Sequence, residues 1–224
     1  MNRPIYDPYG SEAEVRGEVK KTSNIFVTGT DTGVGKTVVS AWICKQAEAT
    51  YWKPIQTGCE LDSDSATVAL LAKGTNIRAE KYRLRPALSP YDAAYIDRVK
   101  IDKLIFFEDI PDRTVVEGAG GILVPISDGF SMIDLAEATH SSVLIVAKSK
   151  LGFLNHIFMT VNVLNGRGIP VIGIVLIGGA ETFLIKTIEK FSGVRVLLVL
   201  PIVEDIDSLI SETPLPEEIK LALS

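Results

Sequence analysis

Apolar runs rich in β-branched residues recur along the chain, and segments with helical spacing separate them. The runs occupy residues 25–27, 114–116, 143–146, 171–175 and 194–199. Helical spacing is found over residues 38–48, 64–73, 132–138 and 154–165. Continuous apolar runs are typical of strands that are covered on both faces. Their alternation with helices predicts an α/β fold with three layers, α/β/α, and a mainly parallel sheet.

Length and composition favour one globular unit. Hydrophobic residues make up 46% of the 224 residues and charged residues 23%, which is enough apolar surface for a core and too little charge for a disordered chain. Nothing between residues 24 and 201 has the composition of a linker. We therefore expect a single domain over residues 23–224, preceded by a flexible N-terminal extension over residues 1–22.

Charge and apolar patterning exclude several classes of partner. The net charge is −5 without a basic block, so no nucleic-acid partner is expected. The first 23 residues hold no apolar run, and the longest apolar stretch, 169–180, is too short and glycine-interrupted to span a bilayer. Cys44 and Cys59 form no CxxC pair and are expected to pack as small hydrophobes in a reducing compartment. These features indicate a cytoplasmic protein that does not bind a membrane.

A glycine-rich segment follows the first predicted strand directly. It reads GTDTGVGKT over residues 29–37, and a helix is predicted from Val38. Phosphate groups require inward-pointing backbone N–H groups, which Gly33 and Gly35 permit, together with a cation and a hydroxyl for the metal. Lys36 and Thr37 supply the last two. The segment predicts a P-loop NTPase fold, and the alternative is a glycine turn with a solvated lysine.

A second motif ends another predicted strand, where Glu117 precedes Gly118, Ala119 and Gly120. An acid at the end of a strand that faces a P-loop is typical of a Mg²⁺ ligand. The alternative for Glu117 is a simple helix-capping turn. Combined with the P-loop upstream, the motif favours metal binding.

Seven motifs in a fixed order resemble the dethiobiotin synthetase family. They are FVTGTDTGVGKT at 26–37, WKPIQTG at 52–58, Ser63-Asp64, Ser89-Pro90, Ala93-Ala94, EGAGG at 117–121 and GFLNH at 152–156. The resemblance covers residues 24–203. It implies that 7,8-diaminopelargonate, CO₂ and ATP are converted with Mg²⁺ into dethiobiotin, ADP and phosphate, a step of biotin biosynthesis, by way of a carbamate and a carbamic-phosphoric anhydride.

The same resemblance implies catalytic roles. Lys36 bridges the γ-phosphate and the carbamate, Lys53 stabilises the carbamate and its phosphorylated form, and Thr32 hydrogen-bonds the substrate. The alternative for Lys53 is a surface lysine beside Trp52. Thr37, Asp64 and Glu117 form the Mg²⁺ shell. The alternative for Asp64, or for the nearby Asp62, is a helix cap.

Binding roles are also implied by the resemblance. Thr57 contacts the substrate, and Gly152, Leu154 and Asn155 reach the substrate carboxylate of the neighbouring subunit, which implies a homodimer with the site at the subunit interface. The alternative for Asn155 is a cap on the following helix. The implied nucleotide-binding residues are Gly33, Val34, Gly35, Lys36, Thr37, Val38, Asp64, Glu117, Gly118, Ala119, Gly120, Ile177, Pro201, Ile202 and Val203.

The chain departs from the family at Ile177. The family usually has an asparagine there that reads the adenine edge, and losing its amide removes a group that both donates and accepts hydrogen bonds. Backbone groups around residues 201–203 remain available to the base. We therefore expect weaker discrimination between ATP and other triphosphates.

Two other classes of protein are related to this family and offer alternative functions. Switch ATPases of the chromosome-partition and cell-division-site type carry a second lysine at the start of the loop, where this chain has Asp31. Amidating synthases of corrin biosynthesis need a glutaminase domain, for which no length remains. A free-standing P-loop ligase that acts on another amine or carboxylate stays open as an alternative.

Overall fold

The computed structural model describes residues 23–60 and 63–224. The strands are β1 Ile25–Gly29, β2 Thr50–Trp52, β3 Ile55–Thr57, β4 Ile77–Arg78, β5 Tyr82–Leu84, β6 Thr114–Gly121, β7 Pro125–Ser127, β8 Phe130–Ser131, β9 Ser142–Lys148, β10 Val171–Ile177 and β11 Val196–Leu200. The helices are α1 Lys36–Ala47, α2 Asp64–Leu71, α3 Pro90–Asp97, α4 Met132–Ala138, α5 Phe153–Gly166, α6 Thr182–Ser192, α7 Ile206–Glu212 and α8 Glu217–Ala222, with a 3₁₀ turn at Lys103–Phe107.

Seven strands form the main sheet, in the order β11-β10-β9-β1-β6-β2-β4. Every pairing in this sheet is parallel. β1 is central, between β6 and β9, so the loop that follows β1 emerges at the middle of the sheet's carboxyl edge. The remaining pairs are small: β3 with β5 in parallel, and β7 with β8 as an antiparallel hairpin.

Helices cover both faces of the sheet. On one face, α1, α2, α7 and α8 pack over a core that includes Trp42, Val115 and Val146. On the other face, α3, α4, α5 and α6 pack over a core that includes Phe26 and Val143. Because successive strand residues point to opposite faces, each apolar run supplies both cores. The predicted three-layer α/β/α P-loop fold is confirmed.

Several element boundaries differ from the prediction. α1 begins at Lys36, two residues before the predicted start, because Gly35 already serves as its N-cap. The short edge strand β4 and helices α3, α6 and α7 were not predicted from the apolar pattern. The proposed extension over residues 1–22 lies outside the described residues, and the domain boundary at residue 23 stays a prediction. Within residues 23–60 and 63–224, no helix combines the length and apolar character that crossing a membrane requires.

Candidate active site

The P-loop lies between β1 and α1, as its sequence predicts. Gly35 has φ 100° and caps α1, a conformation that favours glycine. The loop also needs Gly29, since a Cβ there would lie 2.6 Å from the Asp31 carbonyl oxygen and 3.0 Å from Lys36 Nζ. Lys36 Nζ donates to that carbonyl at 3.2 Å. Lys36 is only 7% exposed, so the alternative of a solvated lysine is wrong.

Four predicted side chains converge at the mouth of this loop. Lys53 Nζ lies 2.7 Å from Asp64 Oδ2, 3.0 Å from Glu117 Oε1 and 3.1 Å from the Gly118 carbonyl oxygen. Thr37 Oγ1 lies 2.8 Å from Asp64 Oδ1 and 3.0 Å from Glu117 Oε1. The sheet order explains the meeting, because β2, which precedes Lys53, pairs with β6, which carries Glu117.

The structure decides between the alternatives left open for three of these residues. Lys53 is 3% exposed and is no surface lysine. The cap of α2 is Ser63, whose hydroxyl accepts from Ala66 N, while the Asp64 side chain faces Thr37 and Lys53. Asp62 lies outside the described residues. Glu117 is neither at a strand tip nor in a capping turn, because β6 continues to Gly121.

Charge pairing governs ionisation in this cluster. Burial by itself would lower the pKa of Lys53, but Glu117 and Asp64 outweigh it and raise the pKa above its ordinary value. Burial by itself would raise the pKa of Asp64, and Lys53 reverses that effect, so the pKa is lowered. Lys36 behaves differently: burial, followed by repulsion from Lys53, lowers its pKa to about 8. Lys36 is therefore the cation of the site that most lacks a compensating anion, which suits binding of phosphate.

Two residues of the cluster were missed in the sequence. The buried Tyr51 donates its hydroxyl to Glu117 Oε2 at 3.0 Å, and Gln56 Oε1 accepts from the backbone N–H of Asp64 at 3.0 Å. Burial, followed by repulsion from the Glu117 carboxylate, raises the pKa of Tyr51 well above its ordinary value, so the phenol stays a donor. A sequence signal existed, because Tyr51 and Lys53 are two residues apart and share one side of an extended segment.

A separate, largely apolar cavity of about 170 Å³ lies beside the P-loop. It brings together predicted nucleotide-binding residues from three parts of the chain, namely Gly33, Val34, Gly35, Val38, Ile177, Pro201, Ile202 and Val203. Ile177 lies against the loop, since a Cβ at Gly35 would be 3.1 Å from Ile177 Cγ1. Lys148 is the one charged residue in the lining of this cavity. Gly118, Ala119 and Gly120 do not line it, because their strand, β6, lies on the opposite side of β1 from β10, which carries Ile177.

The predicted substrate residues occupy three places at the same edge of the sheet. Thr32 is exposed in the P-loop, and its N–H donates to the Asp31 carboxylate at 2.8 Å. Thr57 ends β3. Gly152 is the N-cap of α5 with φ 92°, Leu154 is half-buried, and Asn155 is exposed. The capping alternative for Asn155 is wrong, because α5 begins at Phe153 and the cap is Gly152.

The donor set at the loop mouth fits Mg²⁺. Across the described parts of the chain, no group of three or more His, Cys, Asp or Glu side chains is arranged to hold a metal alone. Mg²⁺ does not require such a cage, since it commonly takes one or two carboxylates together with phosphate oxygens and water. The Thr37 hydroxyl and the Asp64 and Glu117 carboxylates are all oxygen donors, and they already face one another.

Comparison with known proteins places this chain in a family. A family model described as an AAA domain matches residues 23–209. The ATP-dependent dethiobiotin synthetase BioD of Paramagnetospirillum magneticum is 45% identical over 174 residues, which cover 77% of this chain and 85% of the relative. The chain belongs to the dethiobiotin synthetase family. The dethiobiotin synthetase BioD of Sphingopyxis alaskensis is 42% identical over 186 residues, covering 83% of this chain and 91% of the relative.

Among solved structures, a ParA family ATPase from Chlorobium tepidum TLS is similar with a TM-score of 0.46 and 13% identity. The match covers 91% of this chain and 93% of that protein. At this distance the likeness has no bearing on function, whereas the dethiobiotin synthetase relatives share two fifths or more of their aligned residues with the chain.

Proposed function

We propose that the chain is an ATP-dependent dethiobiotin synthetase of biotin biosynthesis, a ligase that forms C–N bonds. One amine of 7,8-diaminopelargonate adds to CO₂ and loses a proton to give a carbamate. The γ-phosphoryl group of ATP passes to a carbamate oxygen, releasing ADP. The second amine then attacks the carbamoyl carbon, expels phosphate and closes the ureido ring. The observation that supports this chemistry best is the ion-paired cluster of Lys53, Asp64 and Glu117, whose charges also act on the P-loop lysine, Lys36.

The two lysines match the demands of this reaction. Its intermediates place a carbamate next to a triphosphate, so catalysis rests on positioning and on positive charge rather than on a protein nucleophile. We assign Lys36 to the γ-phosphate and the carbamate, and Lys53 to the carbamate and its phosphorylated form. Lys53 uses all three of its N–H groups on Asp64, Glu117 and Gly118, so it must exchange at least one to contact substrate.

We assign Mg²⁺ to Thr37, Asp64 and Glu117. When bound, Mg²⁺ neutralises phosphate charge during phosphoryl transfer. The residues support this assignment by their own geometry, since the two carboxylates share the Thr37 hydroxyl as a neighbour at 2.8 and 3.0 Å. Tyr51 holds the Glu117 carboxylate by a hydrogen bond to Oε2, and Gln56 holds the backbone N–H of Asp64 at the start of α2.

The substrate residues are assigned from the family resemblance. Thr32 and Thr57 hydrogen-bond the diamine, and backbone N–H groups at Gly152, Leu154 and Asn155 receive the carboxylate of substrate bound to a second subunit. This assignment makes the enzyme a homodimer. Gly152 is exposed and is the N-cap of α5, so no capping side chain accepts from the N–H groups of the first turn. We place the enzyme in the cytoplasm, with small molecules as its other partners.

The two alternative functions are less well supported. Asp31 stands where switch ATPases carry their second lysine, and its carboxylate accepts from Thr32 N and pairs with Lys150. A relative acting on another amine or carboxylate is disfavoured by the 40–45% identity to proteins named dethiobiotin synthetase.

The function is tested directly by product formation. Purified protein is incubated with ATP, Mg²⁺, bicarbonate and 7,8-diaminopelargonate, and dethiobiotin is sought by mass spectrometry. We expect one ADP for each dethiobiotin. ATP binding without any dethiobiotin would refute the substrate assignment and leave the P-loop fold unaffected.

Tyr51→Phe is expected to weaken Mg²⁺ activation about tenfold, since removing an outer-shell partner of a ligand typically costs that much in metal affinity. The hydroxyl that holds Glu117 Oε2 is lost, while the ring stays in the core. The measurement is the Mg²⁺ concentration that gives half-maximal dethiobiotin formation. Tyr82→Phe is the matched control, because the Tyr82 hydroxyl accepts from Asp102 N instead. An unchanged Mg²⁺ requirement would count against Tyr51 as a support for Glu117.

We assign the nucleotide base to the cavity beside the P-loop that Ile177 lines. Selectivity between nucleotides is expected to be weak, because the walls of this cavity are largely apolar. The kcat/KM values for ATP, GTP and CTP should lie within about tenfold of one another, since strong discrimination needs a hydrogen-bonding reader. Ile177→Asn should raise the preference for ATP. A preference of about 100-fold for ATP in the unmodified chain would contradict the prediction of weak nucleotide selectivity.

A further inference from the structure

The P-loop and the turn before α5 are joined by one ion pair. Lys150 Nζ lies 2.8 Å from Asp31 Oδ2, although the two residues are 119 positions apart. Asp31 is the centre of the local network. Its Oδ1 accepts from Thr32 N at 2.8 Å, and its carbonyl oxygen accepts from Lys36 Nζ at 3.2 Å. One residue therefore contacts the loop lysine, the substrate threonine and the α5 turn.

The turn itself has few other restraints. Ser149 N donates to the Ile177 carbonyl at 2.9 Å, and Phe153 N donates to the Lys150 carbonyl at 3.0 Å. Between them, Leu151 is fully exposed and Gly152 adopts a positive φ. Among the described residues, the Lys150 side chain therefore connects the middle of this turn to the P-loop through its ion pair with Asp31.

We propose that Asp31 and Lys150 are positioning residues, whose ion pair holds the turn at the start of α5 at a fixed position relative to the P-loop. The pair would thereby align the substrate-binding end of α5 with the phosphate to be transferred. This inference rests on the proposed function for its catalytic consequence. The ion pair itself, called the tether below, is present without substrate and does not depend on the proposed function.

The exposure of the pair makes the proposal testable. Lys150 and Asp31 side chains are 51% and 40% exposed, and exposed ion pairs contribute little to stability. A merely structural pair should therefore change neither the Tm nor the turnover when it is removed. A positioning pair should leave the Tm almost unchanged and still lower kcat, because small misplacements of reacting groups are costly.

The kinetic test uses Lys150→Met, Asp31→Asn and the double variant. Asp31→Asn keeps a side-chain acceptor for Thr32 N while removing the charge. Each single variant is expected to lower kcat about 10- to 100-fold, with a Tm within about 2 °C of the unmodified protein. The kcat of the double variant should be about the same as that of the less active single variant, because all three variants remove the same interaction. Lys150→Arg should restore kcat to within about threefold of the unmodified protein by keeping the pair.

The matched control is Lys45→Met, which breaks the pair with Asp207, also at 2.8 Å, between the last turn of α1 and α7. It should leave kcat unchanged. Single variants that stay within about threefold of the unmodified kcat would overturn the proposal, as would additive losses in the double variant. Recovery of activity in the double variant would also overturn it, since cancelled charge rather than the tether would then be what matters.

Hydrogen exchange separates this proposal from the proposed function. The N–H groups of Phe153 and His156 donate to the carbonyl oxygens of Lys150 and Gly152. Without any substrate, these two amides should exchange at least about threefold faster in Lys150→Met and Asp31→Asn than in the unmodified chain, because the turn opens more often. Lys45→Met should show no change there. Unchanged exchange would refute the tether even if dethiobiotin is formed. Faster exchange would support it even if the unmodified chain forms no dethiobiotin, which would refute the proposed function alone.

Discussion

Lys36→Ala is expected to lower kcat/KM for dethiobiotin formation by about 10³-fold or more, because the buried ammonium is the principal cation next to the transferred phosphoryl group. Lys36 Nζ contacts only the Asp31 carbonyl oxygen in the hydrogen-bond network of the described residues, and burial lowers its pKa to about 8. An anion arriving at the loop therefore replaces a weak contact with a strong one. The measurement is the initial rate of dethiobiotin formation over a range of ATP and diamine concentrations, from which kcat/KM is obtained.

Stability is the control for this variant. Lys36 lies at the first position of α1, where alanine is well tolerated in a helix, and it forms no ion pair among the described residues. The Tm of Lys36→Ala should therefore stay within a few degrees of the unmodified value, which corresponds to a change of about 1 kcal/mol in the free energy of unfolding. Dethiobiotin formation at more than about a tenth of the normal rate would show that Lys36 is not the phosphate-binding cation.

Lys53→Met is expected to have a different signature, a large loss of stability together with the loss of activity. Lys53 is buried between Asp64 and Glu117, and its removal leaves two carboxylates facing each other without compensation. Removing one partner from a buried ion pair typically costs about 3–5 kcal/mol. For a chain of this length that corresponds to a decrease of about 10 °C in Tm, measured by thermal unfolding.

A double variant distinguishes the electrostatic cause from a packing defect. Lys53→Met/Glu117→Gln removes one of the charges that Lys53 leaves behind, so part of the lost stability should return while activity stays absent. No recovery would indicate that the methionine itself fits poorly. An unchanged Tm in Lys53→Met would contradict the buried ion-pair network altogether.

The hydrogen bonds within the cluster explain how the site accommodates several buried charges. Lys53 carries two anionic partners, and the Glu117 carboxylate has donors on both oxygens, Lys53 on Oε1 and Tyr51 on Oε2. Every charged group at the loop mouth is thus hydrogen-bonded, which is the condition under which buried charge is compatible with a stable fold. Preorganisation of this kind means that few groups must reorient when phosphate arrives.

Much of the site follows from short stretches of sequence. The P-loop is recognisable because its glycines, lysine and threonine are consecutive, and the local backbone they require is the functional geometry itself. Helix α4 was predicted with its observed bounds, and the five predicted strands all occur. The apolar run before Glu117 predicts a strand that ends there, because the glycine-rich residues that follow have the composition of a turn, whereas β6 continues to Gly121.

By itself, the sequence determined the layer architecture, the phosphate loop and the identities of the charged groups, because each depends on residues close together in the chain. Only the tertiary structure decided which of those groups meet. Lys53 contacts Glu117 because β2 and β6 are neighbours in the sheet, and Lys150 contacts Asp31 because β9 lies next to β1. Strand order is set by packing of the whole chain, and hydrophobic periodicity carries no record of it.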